Sequence, residues 1–374
     1  MVETERVILG ELELLAPVGE VPLPDWQQVT RRLEISPARG RRHRARLVLA
    51  AALIALVAVT VGSAAYFAFH GAPSTPIANG ELVIDSQPGE VAQLSSVGTD
   101  GRLRTLWRCP RAVFCGAPAG MSWSPDGKRI ALVMATLGRT SRYEGLDVVT
   151  LSTGRLTHLA TSRRCEANGF ALPSGVDWSP DSRWIAFTCG SSKIELIRPN
   201  RTGERLVDTG LTNVRSPSWS PDGRRLTFSA GAVDHSWIYV IDRDGTHRRR
   251  LARGKAPAWS PHAPLIAYRG ATHGPSCGGL RLVNADTGRD ASPPSATNPC
   301  DQFGPRSSEA PEWSPDGAEI AIGASSGLYV IDADGTDLRL ITQSPPYSGQ
   351  PAWRPVHGKS SLRYGARAAA CREC

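Results

Sequence analysis

A tryptophan-centred motif recurs along this chain and constrains its fold more than any other feature. The motif is Trp-Ser-Pro-Asp-Gly or a close variant, and successive tryptophans are 55, 41, 40, 54 and 40 residues apart. A period of about 40 residues is that of a four-stranded propeller blade. The spacing therefore predicts a ring of blades with the tryptophans packed between them. The repeat tryptophans are Trp123, Trp178, Trp219, Trp259, Trp313 and Trp353.

The residues between the motifs have the pattern of short strands. In the unit around Trp219, apolar and polar residues alternate in 225–228, residues 237–241 form a short apolar and aromatic run, and turn residues bound each run. In Ser-Pro-Asp-Gly, proline presets φ, aspartate bonds nearby backbone amides, and glycine accepts conformations that other residues resist. Alternation of this kind indicates antiparallel strands joined by tight turns, four to each unit.

With these motifs, the chain resembles the TolB-like family of β-propellers. The resemblance covers residues 80–358, and Ser-Pro-Asp-Gly stands intact at 124–127, 220–223 and 314–317. The other units depart from the motif within the turn, as where Ser182 replaces glycine. The resemblance implies a role in protein interaction, through loops on one face or through the central channel. Such repeats also form accessory domains of prolyl oligopeptidase-type enzymes, whose catalytic part this chain lacks.

The number of blades follows from the two ends of the repeat region. One clear strand follows the last motif, while three strand-like runs, 81–85, 91–97 and 102–107, precede the first. Together they complete one blade, which closes the ring and protects sheet edges. We therefore predict an all-β, six-bladed propeller of four-stranded antiparallel blades, closed by N-terminal strands pairing with the C-terminal strand. A rival hypothesis lets residues 362–364 supply the second strand of that blade.

An uncharged apolar segment occupies residues 47–69. At 1.5 Å per residue, it is long enough to cross a hydrocarbon core about 30 Å thick as a helix. Five arginines lie within 39–46, and the next Lys or Arg is Arg102, which favours a cytoplasmic N-terminus and an external propeller. Residues 63–65, Ser-Ala-Ala, offer a signal-peptidase site and a secreted alternative. The length of the apolar segment and of the chain before it favours an uncleaved, single-pass anchor in the cell membrane.

The chain is thus predicted to contain five parts. Residues 1–46 form a cytoplasmic segment with short amphipathic helices, and 47–69 form the transmembrane helix. A linker at 70–79 leads to the propeller at 80–358 and a C-terminal tail at 359–374. The cytoplasmic segment is too short to bury a core alone. If it docks a cytoplasmic partner instead of lying on the membrane, the protein is a transmembrane signalling protein.

All eight cysteines follow the apolar segment. This asymmetry suits disulfides in an oxidising compartment. Six cysteines fall in or beside connections on one propeller face. The C-terminal Cys-x-x-Cys at 371–374 has no second pair with zinc-site spacing, which favours a terminal disulfide or a tail. The preferred pairs are Cys109 with Cys115, Cys165 with Cys189, and Cys277 with Cys300.

The net charge of +8 lies almost wholly outside the predicted cytoplasmic segment. A basic external domain favours anionic partners such as acidic cell-wall polymers, lipid headgroups or acidic proteins, and the location argues against nucleic acid. Two Gly-x-Ser-x-Gly matches, at 274–278 and 323–327, lie in inter-strand loops without the following helix that a nucleophile turn needs. We find no catalytic constellation, metal site or cofactor site, and we expect no enzyme activity.

The function expected is therefore a non-catalytic protein- or ligand-binding module. The alternative is a lactonase-like or glycan-cleaving propeller with its site in the central channel. The Ser-Pro-Asp-Gly turns are nearly uniform, whereas the opposite face carries the long connections 109–120, 161–175 and 290–310. Loops on a rigid scaffold usually carry recognition, and the alternative is that these three are solvated insertions. Because aromatic and arginine side chains dominate interface energetics, the candidate contacts are Arg163, Arg164, Phe170, Phe303 and Arg306.

Overall fold

The computed structural model divides the chain into two compact units, Met1–Pro73 and Ser74–Cys374. All residues that the structure describes belong to the second unit. The predicted segments 1–46 and 47–69 lie outside the described residues, and no helix within the described part is long and apolar enough to span a membrane. The described residues are 77–85, 93–110, 117–136, 142–161, 175–189, 192–232, 235–270, 279–293, 310–324, 327–343, 350–357, 362 and 364.

The described residues form strands joined by turns, and every strand pairing is antiparallel. The strands are β1 Ile77–Asp85, β2 Gln93–Val97, β3 Leu103–Arg108, β4 Ala117–Trp123, β5 Arg129–Thr136, β6 Arg142–Thr150, β7 Arg155–Thr161, β8 Val176–Trp178, β9 Ile185–Cys189, β10 Lys193–Ile197, β11 Glu204–Asp208, β12 Arg215–Trp219, β13 Arg225–Ala230, β14 Trp237–Asp242, β15 Arg249–Trp259, β16 Leu265–Gly270, β17 Leu280–Asn284, β18 Glu312–Trp313, β19 Glu319–Ala324, β20 Gly327–Asp332, β21 Arg339–Thr342 and β22 Ala352–His357.

These strands form five hydrogen-bonded sheets within the described part of the chain. Four sheets have four strands each, in the orders β22-β1-β2-β3, β4-β5-β6-β7, β11-β10-β9-β8 and β18-β19-β20-β21. The fifth sheet has six strands, β12 to β17 in sequence order. Four-stranded antiparallel blades are confirmed, but the prediction of six separate blades is wrong for the described sheets, which number five.

The difference arises because β15 is a continuous strand of 11 residues that belongs to two ladders. Its first half pairs with β14, ending at Trp237 opposite Arg253, and its second half pairs with β16, starting at Gly254 opposite Gly270. The outer strand of the Trp219 unit thus becomes the inner strand of the next unit without a connecting loop. Two repeat units therefore share one sheet.

The two ends of the repeat region close the ring. Strand β1 pairs with β22, with Leu82 opposite Trp353 and Val83 opposite Ala352, as the sequence predicts. The rival hypothesis for residues 362–364 is wrong, because β1 itself lies between β22 and β2. Tyr364 instead contributes a fully buried side chain to the core.

Each repeat tryptophan lies in a different apolar cluster, and each cluster combines residues of two neighbouring repeat units. In one cluster Trp178 packs with Val133 of the preceding unit and with Ile185 of its own unit. In another, Trp353 and Leu82 pack with Val330 of the unit before the closure. The six tryptophans are only 2–6% exposed. The core is therefore distributed between units around the ring, so each unit depends on its neighbours.

The Ser-Pro-Asp-Gly turns are held by their own side chains. In the first turn, Ser124 O accepts the Gly127 N–H at 2.8 Å, and Ser124 Oγ accepts the Arg129 N–H at 3.0 Å. Burial alone would raise the pKa of Asp126, but hydrogen bonds from the Ser124 hydroxyl and the Lys128 N–H bring that pKa below its usual value. Where Ser182 replaces glycine, the turn keeps the same left-handed conformation, since Ser182 has φ 59° and Gly127 has φ 64°.

Candidate functional site

A cavity of about 310 Å³ lies among the strands that contain the repeat tryptophans. All six repeat units contribute to its wall, and all six repeat tryptophans line it. The proline two residues after each repeat tryptophan also lines it, so the cavity extends to the Ser-Pro-Asp-Gly face of the propeller. These prolines are Pro125, Pro180, Pro221, Pro261, Pro315 and Pro355.

Few polar side chains interrupt this aromatic and proline-rich wall. Three of them can titrate, namely Asp177, Glu312 and His262, and Gln350 lies among them. No Lys or Arg of the described residues lines the cavity. Most of the wall is apolar and a few polar groups converge on it, which is the usual composition of a ligand site.

Asp177 stands directly before a repeat tryptophan and joins two neighbouring units. Its Oδ2 accepts the backbone N–H of Trp219 at 2.7 Å, and its Oδ1 accepts the Ser122 hydroxyl at 3.1 Å. Burial raises the pKa of Asp177 to about 6, although these hydrogen bonds act in the opposite direction. At pH 7 the side chain is therefore mainly a carboxylate, and both of its oxygens are used by the scaffold.

Serines at the same position of other units make equivalent links. Ser122 Oγ accepts the N–H of Trp178, and Ser218 Oγ accepts the N–H of Trp259, each at 3.0 Å. Together with Asp177, they connect four consecutive tryptophan-bearing strands through side-chain acceptors. Ser122, Asp177 and Ser218 thus each have both a structural role and a place on the cavity wall.

Glu312 occupies this position in a later unit and has a different environment. Its Oε2 accepts a hydrogen bond from Gln350 Nε2 at 3.0 Å. Burial, reinforced by the negative charge of Asp177, raises the pKa of Glu312 to about 8. At pH 7 the cavity therefore holds one carboxylic acid and one carboxylate. Within the described residues, no group of three or more His, Cys, Asp or Glu is arranged to hold a metal ion.

The five candidate contacts chosen from the sequence cannot be placed against this cavity. Arg163, Arg164, Phe170, Phe303 and Arg306 all lie outside the described residues.

Each of the three predicted cysteine pairs also includes at least one residue outside the described part of the chain. Cys109 is buried and disulfide-bonded, but the side chain of its partner lies outside the described residues. Cys189 ends β9, while Cys115, Cys165, Cys277 and Cys300 fall in parts that the structure does not describe. The three pairings remain predictions.

Asp177 and Glu312 are not among the site residues predicted from the sequence. The position before the repeat tryptophan contains two serines, two alanines and these two acids across the six units. Side chains alternate between the two faces of a strand, so a residue beside a tryptophan packed between units points to another environment. The signal that could have identified them is an acidic residue at a repeat position that otherwise holds serine or alanine.

Solved structures share this fold. TolB from Acinetobacter baumannii matches with a TM-score of 0.53 and 22% identity over 79% of this chain and 71% of that one. A putative TolB from Agrobacterium tumefaciens matches with a TM-score of 0.50 and 17% identity, over 76% and 99%. The described domain has a TolB-like propeller fold. A chain of a nidogen/laminin complex also matches, with a TM-score of 0.54 and 14% identity over 73% and 98%. Neither a protein-family model nor a curated protein matches the chain.

Proposed function

We propose that the protein is a membrane-anchored, extracytoplasmic TolB-like propeller that binds a protein or other ligand without catalysis. The observation that carries the proposal is the central cavity, whose wall combines aromatic and proline side chains with a few polar groups. This composition suits recognition, because apolar surface supplies affinity and sparse polar groups fix orientation. The similar fold in a nidogen/laminin complex supports a role in protein binding.

The anchoring and the location rest on the sequence. The apolar segment 47–69 is long enough to span a bilayer, and the arginines before it favour a cytoplasmic N-terminus. The cysteines all follow this segment, which suits disulfides in an oxidising compartment. Docking of the cytoplasmic segment 1–46 to a partner would add a signalling role to the same architecture. An anionic cell-surface partner remains compatible with the basic external domain.

A glycan-cleaving propeller is the second candidate, and one observation favours it. Glycoside hydrolysis usually employs a protonated and an ionised carboxyl group, and Glu312 and Asp177 have those states at pH 7. However, Asp177 accepts hydrogen bonds from the Trp219 N–H and the Ser122 hydroxyl, which occupy the oxygens that a base or nucleophile would need. Binding without catalysis is therefore the function that this geometry supports better.

Partner capture tests the proposal. The full-length protein, purified in detergent, is used to capture partners from an extracellular extract, which are identified by mass spectrometry. Gln350→Trp places an indole in the cavity, while Leu206→Trp adds the same group on β11, at a residue that is 56% exposed. We expect the first variant alone to lose the partner. Equal capture by both variants rules out the cavity as the site, and glycan cleavage that disappears in Asp177→Asn would make the protein an enzyme.

A further inference from the structure

The charge of the cavity is opposite to that of the whole chain. The sequence contains 43 Lys and Arg against 35 Asp and Glu. Nevertheless, the acidic side chains Asp177 and Glu312 line the described cavity wall, and no Lys or Arg accompanies them. A cavity wall that has carboxyl groups and lacks Lys and Arg is complementary to a positively charged ligand.

The hydrogen-bonding capacity of this wall is unevenly used. Asp177 has acceptors engaged by the scaffold, whereas within the described residues Glu312 makes a hydrogen bond only through Oε2, to the Gln350 amide nitrogen. Glu312 Oε1 and the Gln350 side-chain carbonyl therefore retain acceptor capacity. Both side chains line the cavity and are only partly buried, so a ligand there can reach them.

We propose that the central cavity binds an alkylammonium group, with Glu312 as its ion-pair partner and Gln350 as a second hydrogen-bond acceptor. Asp177 contributes a further negative charge, and the tryptophan and proline wall contacts the alkyl stem. This inference rests on the proposed binding function and specifies the ligand chemistry. A primary ammonium offers three donors and a compact charge, which suits a site with few acceptors. Lysine side chains and free diamines share this group.

Proton linkage follows from the same geometry. Glu312 is mainly protonated at pH 7, and an ammonium ion beside it would favour its ionised form. Ligand binding should therefore release a proton near neutral pH and become tighter between pH 6 and 8. The titratable side chains on the described wall are Asp177, Glu312 and His262, and the His262 ring contacts Pro315 O at 2.8 Å.

The experiment uses the full-length protein in detergent with three probes. These are N-acetyl-lysine amide, 1,5-diaminopentane and the uncharged N-acetyl-norleucine amide. Calorimetry gives affinity and, in buffers of different ionisation enthalpy, proton release; tryptophan fluorescence reports occupancy of the cavity. We expect both ammonium probes to bind at least about 10-fold more tightly than the norleucine probe, since each 1.4 kcal/mol of ion-pair energy changes affinity 10-fold. A preference between them distinguishes a peptide lysine from a free amine.

Two variants locate the binding. Glu312→Gln should weaken binding of the ammonium probes at least about 10-fold and abolish proton release. Glu204→Gln makes the same change at an exposed residue of β11 and should leave probe binding and proton release unchanged. Gln350→Leu gives a second test if the first variant melts early. Equal binding of the norleucine probe, unchanged binding in both cavity variants, or no binding of any probe overturns the inference. If capture of a partner is still blocked by Gln350→Trp in that case, the proposed binding function stands without it.

Discussion

The Tyr364 hydroxyl donates a hydrogen bond to the Val97 carbonyl at 2.7 Å and accepts one from the Leu82 N–H at 2.8 Å. Leu82 and Val97 are opposite each other in the β1–β2 ladder, so the phenol joins the ladder from a residue beyond the last strand. Arg339 Nη1 donates to Tyr364 O at 2.7 Å, and Arg339 Nη2 pairs with Glu319. Tyr364 thus links the sheet at the ring closure to the preceding sheet.

Removing this hydroxyl should weaken the closure. In Tyr364→Phe, the buried Leu82 N–H and Val97 carbonyl lose their shared partner, and an unsatisfied buried group costs about 1–3 kcal/mol. We expect urea denaturation to show that the free energy of unfolding decreases by this amount. Tyr239→Phe removes a hydroxyl from a half-buried ring stacked on Phe228 and should change stability little. Equal losses in the two variants would show that the Tyr364 hydroxyl has no special role.

The carboxylate of Asp177 should be a structural requirement of the ring. Asp177→Ala leaves the Trp219 N–H without its acceptor and removes the partner of the Ser122 hydroxyl. We expect a loss of about 1–3 kcal/mol in the free energy of unfolding. Asp286→Ala removes an exposed carboxylate that pairs with Arg225 and should cost less than about 1 kcal/mol. A harmless Asp177→Ala would return Asp177 to the list of possible catalytic groups.

Glu312 should make the wild-type protein less stable as the pH rises. Its pKa of about 8 in the folded state exceeds the ordinary value of 4.5, so the unfolded chain releases this proton first. Between those values the folded state binds more protons, and its stability falls with pH. Glu312→Gln lacks this dependence. We expect its stability relative to wild type to increase by about 2–4 kcal/mol from pH 5 to pH 8, measured by urea denaturation. A pH-independent difference contradicts this expectation.

The change of ladder within β15 should depend on Gly254. A Cβ there would lie 2.4 Å from Arg269 O and 2.5 Å from Tyr268 Cδ2. Gly254→Ala must therefore displace backbone and an aromatic ring, at a cost of about 1–3 kcal/mol. At Gly203, by contrast, a Cβ meets first the flexible Arg198 side chain at 3.3 Å, so Gly203→Ala is a suitable control. Equal melting temperatures of the two variants would disprove a tight junction.

The predicted orientation can be tested with reporter fusions to the full chain. Because arginines precede the apolar segment 47–69, a reporter after residue 46 should be active in the cytoplasm and one after residue 80 should be active outside. Reversing the asymmetry, by substituting the arginines of 39–46 with glutamine and inserting lysines after 69, should lower external activity. The opposite pattern in the unaltered chain excludes an external propeller.

Local chemistry explains what could be predicted from the sequence. Ser124 and Asp126 bond amides within five residues of themselves, so the turn and its flanking strands can be recognised from a short motif. The continuity of β15 was missed because the residues around Gly254 specify an extended chain without specifying the strand with which each half pairs. The acidic residues of the cavity were missed for a related reason. Asp177 and Glu312 are 135 positions apart and share one wall only after the ring has closed.

The shared strand β15 also limits how the repeats can be exchanged. Elsewhere a connecting segment separates one unit from the next, so a cut there leaves the hydrogen-bonded ladders intact. Between the Trp219 and Trp259 units any cut falls inside a strand, and a one-residue insertion would turn the side chains of one half to the opposite face. The two units consequently behave as one module. Recombination or grafting that keeps the two units together preserves both strand registers. Transfer of either unit alone cuts β15 and leaves an incomplete strand at the edge of the sheet.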